Sequence, residues 1–414
     1  MKGMLGVRDV GSVTVIVIFL SLGNLLASQS NNWNISLVQI AFLFGSILCL
    51  RPSLHETRGF NVTLLLICLS IATSNALAAW DGAGLADWGR VLNMIAHLAF
   101  AVAVFYWFAM KPDVLRWVVG AQMLATLVYF CVLVGFWLRL EEPYSYYWFS
   151  TPPLFNHIRH VGMFLCVSVV TASWAVLACG GAWRWLGWAI YVLALSMLLW
   201  SGGRGAFLAA CGGVAVLGLK FAPNRDFRPW AMLFIGMMLA FIFSAIFDVG
   251  QNGLGWLPAI RRSVAAASMD QLASSRLTIW MHLLPYIGER PWFGWGGEGF
   301  RFAWAVLPTI QAHNGLFQLL IEWGVVGTSL VLGLLGWIAI KGGLLYWKTA
   351  AMQPRDASLP LGMALVTALS ILSLVDGVFY HGTPMAFLML GFGVVAASLY
   401  LEKGRSKDGL IARS

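Results

Sequence analysis

The amino-acid sequence predicts an all-α polytopic membrane protein with about twelve transmembrane helices. Of its 414 residues, 60% are hydrophobic and 10% are charged, which is more apolar surface than one water-soluble core can bury. Apolar runs of about 17 to 25 residues recur along the chain, the length that crosses about 30 Å of hydrocarbon. The alternating segments of a membrane barrel do not appear in the sequence, so the spans are expected to be helices.

The spans divide a chain that we treat as one integral membrane domain, residues 1–414. In order they are 10–27, 35–50, 60–79, 92–110, 114–138, 161–179, 185–200, 205–221, 230–247, 312–340, 359–375 and 384–401. The first span has a signal peptide as its alternative, because Lys2 and Arg8 precede it. Cleavage there would leave the later topology unchanged.

The lysines and arginines predict the orientation of the helices. With the N-terminus in the cytoplasm, most of them lie in the inner loops and in the two cytoplasmic termini, as the positive-inside rule requires. The net charge of +9 is therefore a topology signal, and nucleic acid is not an expected partner. All six cysteines lie in predicted spans without a CxxC pair, so neither a disulfide framework nor a thiolate metal site is supported.

Two long outer segments, 139–160 and 248–311, are the candidates for function, since the other loops are short. The second is long enough to form a subdomain, and its many aromatic residues argue against disorder. Within it, Arg276, Trp280 and Leu283 recur at helical spacing beside Leu284, which predicts an amphipathic helix on the membrane surface. We expect Pro285 to end that helix.

The outer basic residues are all arginines. Lysine would serve topology equally well, whereas the planar fork of arginine suits phosphate recognition. Snorkelling toward lipid phosphates is the plainer explanation for any single one of them, and a polyanionic substrate explains the whole set better. The set is Arg90, Arg139, Arg159, Arg204, Arg261, Arg262, Arg276, Arg290 and Arg301.

The stretch "SGGRGAFLAA" places Arg204 behind two glycines at the start of a helix. Gly202 and Gly203 allow the backbone to approach a ligand closely, and a helix start presents free N–H groups and a positive dipole end. The combination predicts an anion site. A tight turn with an arginine facing lipid headgroups is the alternative, and the motif lacks the spacing and lysine of a P-loop.

A histidine marks the stretch "AHNGLFQLLIEWGVVG" at the outer end of the tenth predicted span. We expect His313 in the first helical turn, where the positive dipole end disfavours protonation of imidazole and leaves a general base. Helix capping is the alternative role. Glu322 follows nine residues later, roughly on the opposite helical face, so we expect no direct pair with His313.

The stretch "FNHIRHVG" supplies a further group beside the sixth span, namely His157, Arg159 and His160. Hydrogen bonding to phosphate or sugar suits these histidines better than zinc, because no HExxH pattern or carboxylate cluster accompanies them. Carboxylate pairs for magnesium are also missing from the two long outer segments, so neither a metal nor a cofactor is expected. His157, His160, Asn314 and Arg301 are candidate substrate contacts.

Three stretches, "SGGRGAFLA", "SSRLTIWMHLLPYIGERPWFGWGGEGF" and "AHNGLFQLLIEWGVVG", occur in this order around the large outer segment. The region 200–327 thereby resembles the O-antigen ligase and polymerase superfamily of bacterial inner membranes. The resemblance implies a multi-span (GT-C-like) glycosyltransferase whose site faces the periplasm. It further implies transfer of a glycan from undecaprenyl pyrophosphate to a sugar of lipid A-core, with inversion and without a metal.

The resemblance also implies roles for particular residues. His313 matches the family's functional histidine and is the candidate general base, while Arg204 and Arg276 match its functional arginines. Arg159 and the histidines beside it are a looser match. Charge on the departing pyrophosphate would be stabilised by these arginines. Some tryptophans of the large segment are suited to stack on sugars or to anchor at the membrane interface: Trp280, Trp292 and Trp295.

The acceptor remains open at this point. An O-antigen polymerase would use a second lipid-linked glycan, and a protein O-oligosaccharyltransferase would use a serine or threonine of a protein. A lipid-linked glycan flippase is the alternative from a different class, and it should line a path across the bilayer with charged residues. The candidate residues lie instead at one membrane face.

Overall fold

The computed structural model describes residues 33–50, 58–82, 86–111, 113–221, 226–247, 249, 254–303, 309–349 and 358–411. It is 79% helical, and the described residues form no strand. The predicted span 10–27 lies outside these residues. The chain is an all-helical polytopic membrane protein, as the sequence predicts.

The first eight described helices are long and apolar. They are α1 (Trp33–Leu50), α2 (Arg58–Trp80), α3 (Trp88–Met110), α4 (Val114–Trp137), α5 (Ile158–Ala178), α6 (Gly181–Trp200), α7 (Arg204–Phe221) and α8 (Arg228–Ile246). Asp87 caps α3 through a hydrogen bond from Gly89 N at 2.7 Å. Every one of these helices overlaps a predicted span.

Four short helices follow within the large outer segment: α9 (Trp256–Val264), α10 (Met269–Leu272), α11 (Arg276–Glu289) and α12 (Gly299–Ala303). The predicted helix is therefore present as α11, but Pro285 lies inside it and does not end it. Pro285 lacks the N–H group that would bond within the helix, and the helix continues for four residues after it. The buried residues of α11 are Ile279 and Leu283, while Leu284 is exposed.

Three helices complete the chain: α13 (Gly315–Lys348), α14 (Ser358–Ser373) and α15 (Gly382–Ile411). Within the described residues, nine helices are long and apolar enough to cross a membrane, and two shorter apolar segments, Ile35–Leu48 and Ser358–Ser373, accompany them. Large apolar side chains such as Leu48, Leu208 and Ile242 are exposed on the outside of the bundle. That surface suits lipid and would be a liability in water.

Helix α5 is the centre of the bundle, and 94% of the residues in its most apolar 18-residue stretch are buried. It packs against α4, α6, α7 and α14. Small residues allow these helices to approach closely, as expected where lipid removes the hydrophobic drive for helix association. At Gly213 of α7, a Cβ atom would lie 2.7 Å from Val170 and 3.0 Å from the carbonyl oxygen of Ala364.

Helix α13 is broken at Gly324, which has a φ of 62°. The segment 291–297 fills the break: Val325 N donates to Pro291 O at 2.7 Å, and Trp295 N donates to the carbonyl oxygen of Ile321 at 2.8 Å. The backbone groups freed by the break are thereby satisfied by protein, as irregular backbone at membrane depth requires. The large outer segment is thus anchored in the bundle.

Candidate active site

Residues far apart in the sequence meet at one end of the bundle. Arg159 at the start of α5 contacts His313, with 3.3 Å between Nη1 and Nε2. Asp376, just after α14, approaches the same ring, with 3.4 Å between Oδ1 and Nδ1. Beside them, His160 lies 3.4 Å from His381, which precedes α15. The start of α5, the segment before α13 and the turn between α14 and α15 therefore form one polar site.

His313 lies just outside the helix, which corrects the expectation that it occupies the first turn. Asn314 is the N-cap of α13, and its Oδ1 accepts hydrogen bonds from the backbone N–H groups of Leu316 and Phe317. Asparagine is a much stronger N-cap than histidine, which explains why the helix begins at Gly315, two residues after His313. His313 itself has a φ of 50°, so the chain turns there.

The ring of His313 lies between a cation and an anion. Arg159 Nη1 is 3.5 Å from Nδ1, and Thr309 Oγ1 is 3.4 Å from Nε2. Asp376 is only 6% exposed, and its Oδ1 accepts the N–H of Gly377 at 2.8 Å. A carboxylate on Nδ1 orients an imidazole so that Nε2 can accept a proton.

The Asp376 carboxyl is held ionised despite its burial. Burial alone would raise its pKa, but the hydrogen bond with His313 and the positive charge of Arg159 lower the pKa below the ordinary value. The negative charge is therefore balanced by the groups it faces. Asp376 is a site residue that the sequence analysis missed.

A second imidazole group adjoins the first. Gln311 Nε2 lies 2.7 Å from His381 Nε2, which places His381 between Gln311 and His160. Burial, and then the neighbouring His160, lower the pKa of His381 well below its ordinary value, so the ring is neutral. The signal in the sequence was the short stretch "DGVFYHG" between two apolar spans, which carries both Asp376 and His381.

His157 caps the helix that carries Arg159. Its Nδ1 accepts the backbone N–H of Arg159 at 3.1 Å, which requires an unprotonated ring nitrogen. Burial, followed by the charges of Arg159 and His160, lowers the pKa of His157 to about 4. His157 therefore supports the site by capping α5, and contact with a substrate remains a prediction.

Arg204 begins α7, as the glycine pattern predicts, and Gly202 has a φ of 65°. The close backbone approach at Gly202 is to protein, because a Cβ atom there would lie 3.1 Å from the carbonyl oxygen of Gly255. The guanidinium of Arg204 donates to Ser263 Oγ at 2.8 Å and to Ser274 Oγ and Leu272 O at 3.1 Å. Arg204 thus connects the segment 256–276 to the start of α7 through these hydrogen bonds.

A strained turn positions Arg276. Ser274 and Ser275 both have left-handed φ values, 58° and 61°, and the carboxylate of Asp270 accepts hydrogen bonds from Thr278 N at 3.0 Å and Thr278 Oγ1 at 2.8 Å. The turn directs the chain into α11, which begins at Arg276. Backbone strain of this kind is a feature of ligand-binding sites.

The three predicted arginines share one electrostatic field. Burial is the main cause that lowers the pKa of Arg276, and the positive charges of Arg159 and Arg204 lower it further against the opposing charge of Asp376. A guanidinium nevertheless stays protonated in proteins. Cations that repel one another at a partly buried site are suited to receive an anion.

An apolar cavity of about 280 Å³ opens beside Arg204. Helices α6, α7, α8 and α9 contribute its walls, which are apolar except near Arg204 and Ser263. The lining residues are Leu198, Leu199, Gly202, Gly203, Arg204, Phe207, Leu208, Phe241, Trp256, Ala259, Ile260 and Ser263. An apolar cavity with a guanidinium at one side is suited to bind an amphiphile that has an anionic headgroup.

Arg301 lies beside the site and not within the arginine group. Its Nε pairs with Glu298 Oε2 at 2.9 Å, and its Nη2 donates to the hydroxyl of Tyr380 at 3.1 Å. The Tyr380 hydroxyl in turn donates to Glu298 at 2.8 Å, and burial raises its pKa so that the hydroxyl keeps its proton. This network joins the large outer segment to the turn that carries Asp376.

Other outer arginines have structural partners. Arg90 is buried and pairs with Glu322 at 3.0 Å, so it is not accessible to a substrate and the polyanion explanation does not extend to it. The expectation that Glu322 does not pair with His313 agrees with this contact. Arg290 pairs with Asp81 at 3.3 Å.

The three tryptophans differ in their surroundings. Trp280 donates its Nε1 hydrogen to Ala312 O at 2.9 Å, and Trp295 donates to Tyr286 O at 2.8 Å, so both are part of the packing around the site. Trp292 is exposed. Among the described residues, no group of three or more histidine, cysteine, aspartate or glutamate side chains could hold a metal ion.

Comparison with known proteins finds one similarity, in the central part of the chain. A family model described as O-antigen ligase matches residues 189–332, which include Arg204, Arg276 and His313. Arg159 and Asp376 lie outside the matched region. A search of curated proteins found no match. Over residues 189–332, the chain is therefore similar to the O-antigen ligase family.

Proposed function

We propose that the protein is an O-antigen ligase, which transfers a glycan from undecaprenyl pyrophosphate to a sugar hydroxyl of lipid A-core. The observation that carries the proposal is the joint placement of the His313–Asp376 pair and the cations Arg159, Arg204 and Arg276 at one end of the bundle. This arrangement offers a proton acceptor beside an anion site. The family match supports glycosyl transfer with a lipid-linked substrate.

The reaction we propose breaks the bond between the anomeric carbon and the diphosphate oxygen while the acceptor oxygen forms a bond to that carbon. The acceptor hydroxyl gives its proton to His313 Nε2, and Asp376 stabilises the imidazolium that results. The bonding electrons of the broken bond leave with the diphosphate, whose charge Arg204, Arg276 and Arg159 stabilise. Attack from the face opposite the leaving group inverts the anomeric configuration.

The donor lipid fits the same arrangement. The apolar cavity beside Arg204 would receive the first isoprene units, and the diphosphate would then replace Ser274 and Leu272 O as a partner of the guanidinium. Positioning of both substrates together with charge stabilisation would provide most of the rate acceleration, because pyrophosphate is already a good leaving group. The mechanism we propose requires no metal.

The acceptor and the orientation belong to the proposal as well. The predicted distribution of lysine and arginine favours an inner-membrane protein with cytoplasmic termini and a periplasmic site. Polymerase and protein O-oligosaccharyltransferase activities use the same donor chemistry and differ in the acceptor. A flippase is less well supported, because Arg159, Arg204 and His313 belong to one end of the bundle.

The direct test is transfer by purified protein in nanodiscs, supplied with a labelled undecaprenyl-pyrophosphate glycan and lipid A-core. We expect glycosylated lipid A-core in the presence of excess EDTA, and no transfer by His313→Ala, with His282→Ala of the exposed face of α11 as a matched control. Transfer only to a second lipid-linked glycan or to a protein would indicate one of the related activities. Movement of the lipid without bond formation would indicate a flippase.

A further inference from the structure

The buried guanidinium of Arg90, which lies outside the region of the family match, contacts the turn that carries Asp376 and His381. Arg90, in the first turn of α3, is 2% exposed, and Glu322 of α13 is fully buried. Arg90 Nε lies 3.1 Å from Glu322 Oε1, and Arg90 Nη2 lies 3.0 Å from Oε2, which makes the pair bidentate. Such a pair fixes the relative position of two helices as well as their charges.

The same guanidinium binds the turn that carries the site. Arg90 Nη2 donates to the carbonyl oxygen of Phe379 at 2.6 Å, Nη1 donates to that of Tyr380 at 3.4 Å, and the guanidinium lies 5.2 Å from the centre of the Tyr380 ring. These two residues stand between Asp376 and His381. The turn 376–381 is therefore tied to α3 at its middle, while its first and last residues contact His313 and His160.

We propose that Arg90 is a positioning residue, which fastens the turn 376–381 to α13 and thereby holds Asp376 against His313. Glu322 is its anchor on α13, close to the break at Gly324 that the segment 291–297 fills. Arg90 of α3 therefore connects three parts of the chain, because the same guanidinium contacts Glu322 of α13 and the backbone of the turn. This inference rests on the proposed function, because the benefit of positioning Asp376 is measured as transfer.

Simple stabilisation is the competing explanation, and a double variant separates the two. Arg90→Met and Glu322→Met each leave one buried charge without its partner, so both single variants should be destabilised. In Arg90→Met/Glu322→Met both charges are absent, and an apolar pair of similar volume restores stability. The carbonyl oxygens of Phe379 and Tyr380 still lose their donor, so the turn 376–381 is no longer hydrogen-bonded to α3.

The experiment measures thermal unfolding, kcat and KM for the donor, and hydrogen exchange of the backbone amides in 376–381. For the double variant we expect an unfolding temperature above that of either single variant, a kcat lowered about 100-fold, and a donor KM within about twofold, because a misplacement of about 1 Å has that effect on rate. Exchange in 376–381 should become faster. The matched control is Arg184→Met/Asp226→Met, which removes an ion pair that does not contact the turn and should leave kcat unchanged.

Arg90→Lys provides a variant that retains the buried positive charge. An ammonium can meet Glu322 but cannot bridge two carbonyl oxygens as well, so kcat should fall and exchange in 376–381 should rise while the fold persists. Wild-type kcat and unchanged exchange in the double variant or in Arg90→Lys would overturn the proposal. If the wild-type protein transfers no glycan, the proposed function fails, and hydrogen exchange still reports whether Arg90 holds the turn.

Discussion

Replacing Asp376 with asparagine separates the charge of this side chain from its shape. Asparagine retains an oxygen for the N–H of Gly377, but it removes the negative charge that faces His313. At 3.4 Å and an effective dielectric constant of about 20, the attraction between a carboxylate and an imidazolium is about 5 kcal/mol. The opposing charge of Arg159 and the dipole of the new amide offset part of this energy.

If half of that energy acts in the transition state, kcat falls roughly 70-fold, because about 1.4 kcal/mol corresponds to a factor of ten. The assay is transfer of a labelled glycan at saturating donor and acceptor, with the donor KM measured alongside. We expect a donor KM within about twofold of the wild-type value, because Asp376 acts through His313 and not on the pyrophosphate. Asp81→Asn is the matched control, since Asp81 is exposed and pairs with Arg290.

A wild-type kcat for Asp376→Asn, together with an inactive His313→Ala, would refute the role of Asp376 in orienting the base. A large increase in donor KM with an unchanged kcat would also contradict it, since that result would place Asp376 in ground-state binding. Loss of folded protein is not expected, because the amide fits the same volume.

Three further predictions concern the arginines, a capping histidine and the break in α13. Arg204→Lys and Arg276→Lys should each lower transfer by roughly tenfold or more, because an ammonium cannot reproduce the planar fork at a diphosphate. The unfolding temperature should fall as the pH is lowered from 6.5 to about 4. In this range His157 binds a proton in the unfolded chain but not in the folded chain, because folding lowers its pKa. His157→Asn keeps an N-cap and should reduce that pH dependence. Gly324→Ala should lower the folded yield, because its φ is positive and a Cβ atom would lie 2.4 Å from a backbone oxygen of 291–297.

Each of these has a distinct contrary outcome. Full activity of both lysine variants, equal to that of an Arg261→Lys control, would show that placement of charge is sufficient. An identical pH profile for wild-type protein and His157→Asn would show that this histidine does not contribute to the pH dependence. A normally folded Gly324→Ala protein would mean that the left-handed conformation is not required in α13.

The spans could be predicted because each one satisfies a local requirement. A helix in hydrocarbon must bond its own backbone and present apolar side chains along about 20 residues, and both properties are visible in a short window of sequence. The predicted span 161–179 and the helix α5 (Ile158–Ala178) agree within a few residues for that reason. The prediction was wrong at His313, which lies two residues before the first helical residue, because Asn314 is the better cap.

The candidate residues could be recognised in the sequence where a charged or ionisable side chain adjoins an apolar span. Arg204 behind two glycines and His313 beside an apolar span are unusual in a membrane protein, and both lie within the region of the family match. Asp376 was equally out of place, but its stretch is short and carried no recognised motif. Its meaning depends on a contact with His313, 63 residues earlier in the chain.

Local patterns in the sequence were enough to predict a bundle of membrane helices, and they indicated Arg159, Arg204, Arg276 and His313 as candidate site residues. The tertiary structure decided what surrounds them: Asp376 on one side of the imidazole, and Arg90 and Glu322, 232 residues apart, behind the turn that holds it. The physical reason is that hydrophobic spans are encoded by neighbouring residues, whereas ion pairs and hydrogen bonds between helices depend on how the helices pack. That packing arises from the whole bundle at once.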